Sequence, residues 1–229
     1  MLYCNEFNSI AAYYYWLELF SAGPLLQQAR MSFIGEISAK RMLLAGEGHG
    51  QFLLPLGSHY PDAEVTYLDA SDKMLDVARR RLKRANPAFA ERVVWLHAGL
   101  PDTHLPVGHF DLIATNFFLD CFEGDHLQRV VDSLSKASSP EGQWVNTDFT
   151  VPENPMSGTL ARIALWSMYR LFQAMAQIPA KSLQCPSPTI RSCGFELKKE
   201  SLHLCGFVRS QLWQRHQREM IPCPIAYNG

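Results

Sequence analysis

The sequence predicts an α/β fold: a doubly wound, mostly parallel sheet of seven strands with an antiparallel edge hairpin and helical cap elements. Three observations carry this. Met42, Leu43, Leu44 and Ala45 form an apolar run that ends in alternating glycines at Gly46, Gly48 and Gly50. That is the pattern of a parallel strand buried on both faces and followed by a tight turn. Four further strand-like runs, at 62–70, 93–99, 110–116 and 144–149, alternate with helical patterns. Two late runs, at 195–199 and 207–214, bend near Cys205 and Gly206 and fit an edge hairpin.

Taken in order, 7–20 is rich in aromatics, and Tyr13, Trp16, Leu17 and Phe20 share one helical stripe. Asn8 or Ser9 is placed to cap that helix. Pro24 suits the first turn of a second helix, with Leu25, Ala29 and Phe33 as its apolar stripe. After the glycine turn Phe52, Leu53 and Leu56 start another helix, which Pro55 is expected to shorten or bend. Over 71–84 Met74, Leu75, Ala78 and Leu82 face the sheet. Arg79, Arg80, Arg81, Lys83 and Arg84 crowd its C-terminal half, where cations complement the helix dipole. Asp125 is the expected cap of a helix whose Leu127, Val130, Val131 and Leu134 pack inward. Residues 139–142 read as a turn into the fifth strand, and 156–177 as a long helix apolar on more than one face. A shorter helix or turn follows at 187–190, and 215–229 receives no fixed structure.

A strand, a glycine turn and a helix start together make a nucleotide-binding site, because free backbone N–H groups point outward there. The spacing discriminates between nucleotides. A dinucleotide fingerprint G-x-G-x-x-G needs a third glycine where Gln51 stands, whereas the chain has G-x-G-x-G. Asp69 ends the second strand about twenty residues further on, where a carboxylate reaches ribose hydroxyls. This turn and the strand order over 41–150 resemble the Rossmann-like core of class I S-adenosylmethionine (SAM) dependent methyltransferases.

The resemblance implies SAM as cofactor and S-adenosylhomocysteine (SAH) as its product. It implies cofactor contacts from Gly46, Glu47, Gly48, Gly50, Asp69, Ala70, Met74, Ala98, Gly99, Leu100, Asn116, Phe117 and Tyr14. It divides a single domain into a helical cap (1–40), a SAM-binding core (41–150), a helical insertion or lid (151–190), and an edge hairpin with tail (191–229). Two positions depart from the family pattern. Leu44 stands where an acid usually precedes the first glycine by two residues, leaving Glu47 as the candidate for the methionine ammonium. Gly99 stands where an adenine-contacting Asp often follows the third strand, leaving backbone groups near Gly99 and Leu100.

The implied function is methyl transfer to a small acceptor, apolar or aromatic, in a pocket walled by Tyr14, Phe118, Trp166 and Tyr169. A sulfonium is already activated, so position and desolvation are the protein's main contribution. Where the acceptor must lose a proton, Asp120 and His126 are the nearest candidate bases. Three alternatives stay open: a macromolecular methyltransferase acting on RNA or protein, a non-catalytic SAM-binding protein, and an NAD(P) binder. The Asn/Asp-Pro-Pro-Tyr/Phe form used on exocyclic amines of DNA bases or on glutamine does not occur after the fourth strand.

Composition narrows the remainder. With 229 residues, 47% apolar and 19% charged, the chain is an ordinary globular one. A net charge of −1 gives no basic excess for nucleic acid. Six cysteines form no CxxC pair, and no histidine spacing points to a metal. No signal peptide or membrane-length apolar run is visible, so a cytoplasmic monomer or homodimer is expected. The chain also holds no nucleophile elbow and no P-loop lysine.

Overall fold

The computed structural model describes residues 23–150 and 184–216. Strand β1 (Arg41–Ala45) is the centre of the sheet's first half. Met42 and Leu44 join the core on one face, and Leu43 and Ala45 join it on the other, as an unbroken apolar run requires. Ahead of β1 lies α1 (Gly23–Arg30). Its apolar register differs from the expected stripe. Leu25 is exposed, while Leu26 and Ala29 pack inward. The helix ends at Arg30, so Phe33 is buried from the turn that follows.

After the glycine turn comes α2 (Leu53–His59). Pro55 is its third residue, within the first turn, where a backbone N–H has no partner in the helix to lose. Strand β2 (Glu64–Asp69) leads into α3 (Asp72–Ala85), capped by the Ser71 hydroxyl, which accepts from the Met74 N–H at 3.3 Å. Met74, Leu75, Ala78 and Leu82 are buried as expected. A single helical turn α4 (Pro87–Ala90) precedes β3 (Val93–His97).

Strand β4 (Phe110–Asn116) is followed by a 3-10 turn (Leu119–Cys121) and α5 (Gly124–Ala137). Glu123, not Asp125, occupies the cap position, and its side chain makes no capping bond. Asp125 sits in the first turn, where its charge still favours the positive helix end. Strand β5 (Ser138–Phe149) runs straight through the stretch expected as a turn. The irregularity is absorbed as a register shift against β4 between Phe110 and Leu112. Then come α6 (Ser187–Ser192), β6 (Phe195–His203), a 3-10 turn (Leu204–Gly206) and β7 (Val208–Arg215).

The sheet order is β3-β2-β1-β4-β5-β7-β6. β1 to β5 pair in parallel, and β7 pairs antiparallel with both β5 and β6. This is the expected seven-stranded sheet with its edge hairpin. Helices α2 and α3 cover one face, α5 and α6 the other. The chain reverses direction across the sheet between β1 and β4, so a crevice opens beyond their carboxyl ends. The expected aromatic helix near 7–20, the long helix 156–177 and the tail from 217 lie outside the described residues, and with them Tyr14, Trp166 and Tyr169.

Candidate active site

The crevice is floored by the glycine turn. Gly46, Gly48 and Gly50 all take positive φ, at 68°, 61° and 81°. The Gly46 N–H donates to the Leu68 carbonyl at 2.8 Å, tying the turn to β2. A Cβ on Gly46 would stand 1.9 Å from the Phe118 ring, so this position needs glycine for shape as well as for φ.

Side chains from β2 and α3 hold the turn from behind. Asp69 is buried, its Oδ2 accepting from the Gly48 N–H at 2.9 Å and its Oδ1 from the Ser71 N–H at 2.8 Å. Burial lifts its pKa to about 6 against the pull of these two N–H groups and of His97 and His49. The Tyr67 hydroxyl donates to the Gly48 carbonyl at 3.0 Å, and an Arg81 N–H to the His49 carbonyl at 3.2 Å. Burial and the neighbouring acids Glu47 and Asp69 push the Tyr67 phenol well up, which keeps it a donor. Tyr67 and Arg81 did not stand out in the sequence. An alternating strand residue and one of five clustered cations carry no local mark of such a role.

The expected adenine side is more open. Met74 Sδ lies 3.8 Å from where a Gly48 Cβ would stand. The Ala98 N–H donates to the Asp69 carbonyl at 3.1 Å, and His97 Nε2 lies 3.1 Å from the Ala70 carbonyl, drawing the ends of β2 and β3 together. Gly99 has no heavy atom within 4 Å of a built Cβ, while Leu100 is buried beside it in the sequence.

From β4, Asn116 reaches the turn: its Nδ2 donates to Glu47 Oε1, and both side chains are buried. Asn116 Oδ1 is buried without a hydrogen-bond partner. Phe117 and Phe118 then diverge. Phe117, at φ 54°, sends its ring toward α1, against Phe149 and under the Arg30 guanidinium at 4.8 Å. Phe118 lies on Gly46, meets Phe122 edge-on, and Phe122 in turn meets His126. His126 therefore sits at the outer end of an aromatic row.

Asp120 goes inward. It is buried, accepts a long contact from the Cys121 thiol at 3.7 Å, and burial lifts its pKa to about 6. On β5, next in sequence to the Thr147 carbonyl that accepts the Phe117 N–H at 2.6 Å, stands Asp148, also buried, which carries no local mark in the sequence. Of the two candidate bases the structure thus brings Asp120 into the interior and leaves His126 half-buried on α5. Among the described residues no group of three His, Cys, Asp or Glu side chains is arranged to hold a metal ion, and no helix is long and apolar enough to cross a membrane.

Comparison with known proteins agrees with this geometry. Residues 43–144 match the family model of a methyltransferase domain. A trans-aconitate 2-methyltransferase of Methylobacterium radiotolerans is 29% identical over 133 residues, covering 52% of this chain and 50% of that protein. The mitochondrial 2-methoxy-6-polyprenyl-1,4-benzoquinol methylase of Caenorhabditis elegans is 27% identical over 114 residues, covering 49% and 39%. The chain thus spans half or less of the length of these two relatives. Among solved structures, an O-methyltransferase family protein from Burkholderia thailandensis superposes with a TM-score of 0.67 at 18% identity, over 86% of this chain and 57% of that one. With the G-x-G-x-G turn, the strand-terminal Asp69 and the seven-stranded sheet in place, residues 43–144 match a methyltransferase domain, and the fold is the Rossmann-like one of class I SAM-dependent methyltransferases.

Proposed function

We propose that this chain transfers a methyl group from SAM to a small-molecule acceptor. The observation that carries the reading is the pairing of Asp69 with the Gly48 N–H across the mouth of β1 and β2. Each Asp69 oxygen accepts one backbone N–H and keeps lone-pair capacity for a further donor. A vicinal pair of ribose hydroxyls is such a donor pair.

The rest of the donor set fits the same ligand. Asn116 Oδ1 is a buried acceptor with no partner, next to the Glu47 carboxylate, and together they suit the methionine ammonium. Glu47 then does from inside the turn what an acid at Leu44 does elsewhere in the family. Ala70, Met74, Ala98, Gly99 and Leu100 border the open side expected for adenine, with Gly46 and Gly50 shaping the turn. When bound, SAM supplies a methyl group on a sulfonium. The protein's part is to orient that sulfonium, and Phe118 shields it from water on the acceptor side.

The row Phe118–Phe122–His126 supports an aromatic or apolar acceptor. The relatives above are named for trans-aconitate and for a polyprenyl benzoquinol, both small organic molecules. Calorimetry with SAH tests the cofactor assignment. Asp69→Ala is expected to weaken SAH by about ten- to a hundredfold, roughly 1.5–3 kcal/mol. Unchanged affinity in a folded Asp69→Ala protein overturns the ribose assignment, and no SAH binding by the unsubstituted protein overturns the function.

A further inference from the structure

Two acids at the acceptor end of the crevice have no role in the cofactor site. Asp120 comes from the 3-10 turn after β4, two residues past the Phe118 ring that covers Gly46. Asp148 comes from β5, and both side chains are almost fully buried. Neither Asp148 oxygen makes a well-formed hydrogen bond, although the Phe118 N–H and the Asn146 side chain lie nearby. Asn146 Oδ1 is already engaged by the Thr115 hydroxyl at 2.8 Å, and that hydroxyl is held by the Trp144 indole N–H, also at 2.8 Å. The cation opposite Asp148 in register is Arg209 on β7. Its guanidinium is drawn elsewhere, to Cys185 Sγ at 2.8 Å and Glu200 Oε2 at 3.9 Å.

We infer that Asp120 and Asp148 work as one proton-holding pair: Asp120 is the base that takes the proton of a neutral hydroxyl on the acceptor, and Asp148 is the positioning residue that holds it ready. This rests on the methyl-transfer reading. Two buried carboxylates on segments tied together by the Phe117–Thr147 backbone bond do not both stay charged, because each lacks solvent and repels the other. Sharing one proton resolves this, as it supplies the donor that the Asp148 oxygens lack.

The charged groups around the pair favour that state. Burial raises both acids, Asp120 to about 6 and Asp148 well above the carboxylate range, where the charge of Asp120 adds to the effect. Arg209 pulls Asp148 down only weakly. The Cys121 thiol is pushed well up by burial, then by Asp120, Asp148 and Asp69, so it stays a neutral donor to Asp120. At neutral pH the pair is then a monoanion, with a proton affinity close to that of an efficient general base.

The step balances. The pair takes the hydroxyl proton as the oxygen forms its bond to the methyl carbon. The electron pair of the sulfur–methyl bond returns to sulfur, which leaves as a neutral thioether. One anion and one sulfonium cation are neutralised together. The same anion repels an acceptor rich in carboxylates, so the pair favours phenol- or enol-type hydroxyls over a polycarboxylate.

The test uses the full chain labelled with ¹³C at aspartate Cγ and titrated with SAH present. The inference expects one carboxyl to titrate near pH 6 and another to stay protonated through neutrality, and Asp148→Asn to raise the first, because the Asp120 anion then loses the shared proton. Titration of both near pH 4 overturns it. In methyl transfer from labelled SAM to a panel of neutral phenols, Asp120→Asn is expected to lower kcat by about 10²- to 10⁴-fold with SAH affinity kept within threefold. Asp148→Asn should move the acid limb of the pH profile upward and retain turnover at pH 8. An unmoved limb or an active Asp120→Asn overturns the base assignment, and turnover of tricarboxylates alone, or of no phenol, overturns the hydroxyl class. Failure of the unsubstituted protein to bind SAH defeats the underlying function instead, whatever the carboxyl titration shows.

Discussion

At the ends of β1 and β2 the crevice is shaped by backbone, and side chains serve to hold it. Gly48 and His49 present their peptide groups to Asp69, Tyr67 and Arg81, and every one of these contacts is a hydrogen bond of 2.9–3.2 Å. At the ends of β4 and β5 the roles are exchanged. There the backbone is regular strand and a short turn, and the chemistry lies in side chains: Asn116, Phe118, Asp120 and Asp148. Several polar atoms in this second region have incomplete hydrogen bonding, namely Asn116 Oδ1 and both Asp148 oxygens. Backbone groups held in this way suit a ligand bound by the turn itself, while buried side-chain atoms with incomplete bonding keep polar capacity for a ligand's own groups.

The largest expected effect falls on the first region. Gly46→Ala forces an L-residue into φ 68° and drives its Cβ into the Phe118 ring. Left-handed backbone costs roughly 1–2 kcal/mol and overpacking about 1–3 kcal/mol. Urea unfolding is therefore expected to show a loss of roughly 2–5 kcal/mol. The double substitution Gly46→Ala with Phe118→Ala should recover part of that loss, leaving the backbone term. A loss unaltered by Phe118→Ala means that the two regions do not meet through this ring.

A second comparison sets two acids with the same lifted pKa against each other. Asp69 and Asp120 both stand at about 6, each raised first by burial. Their partners differ: two backbone N–H groups, of Gly48 and Ser71, for Asp69, and the Cys121 thiol together with a backbone bond at its own residue for Asp120. Because the folded value exceeds the unfolded one, the folded state holds more protons between pH 4 and 6. Stability therefore falls as pH rises through that window and stays low above it. Asn at Asp120 abolishes this penalty, and the variant should exceed the unsubstituted protein at pH 8 by on the order of 1–3 kcal/mol, with little difference near pH 4. Asn at Asp69 removes the same penalty but turns an amide N–H₂ toward a backbone N–H, costing about 1–3 kcal/mol at every pH. Thermal melts across pH 4–8 read both. A destabilised Asp120→Asn protein at pH 8 would mean that its carboxylate is better solvated than its burial indicates.

The same contrast explains what the sequence revealed. The glycine turn and Asp69 were legible because their chemistry is local: three glycines at alternate positions and an acid at a strand end. The sheet was legible from apolar periodicity, including the hairpin from Phe195 onward. Asp148 was not, since nothing near it in the chain marks it. Its meaning comes from Asp120 on another element and from Arg209 turning away across the β5–β7 ladder. Phe117 and Phe118 look equivalent in the sequence, yet a left-handed φ at Phe117 sends them to opposite sides. The capping role expected of Asp125 failed by two residues because Gly124, at φ 55°, opens the helix ahead of it.

The smallest expected effect probes the open side of the first region, at Gly99. This glycine is exposed, its φ is not left-handed, and no heavy atom lies within 4 Å of a built Cβ. It is thus a position where the fold makes no demand for glycine, unlike Gly46. Gly99→Ala should leave stability unchanged or raise it by about 0.4–1 kcal/mol, through a less flexible unfolded chain. A ligand makes the demand that the fold does not. If adenine rests on the backbone between Ala98 and Leu100, an added methyl meets the ring and SAH should bind about three- to tenfold more weakly. Calorimetry beside a thermal melt separates the two effects, because affinity and stability are expected to move in opposite directions. Full SAH affinity in Gly99→Ala places adenine away from this glycine and leaves Met74 and Ala70 as its boundary.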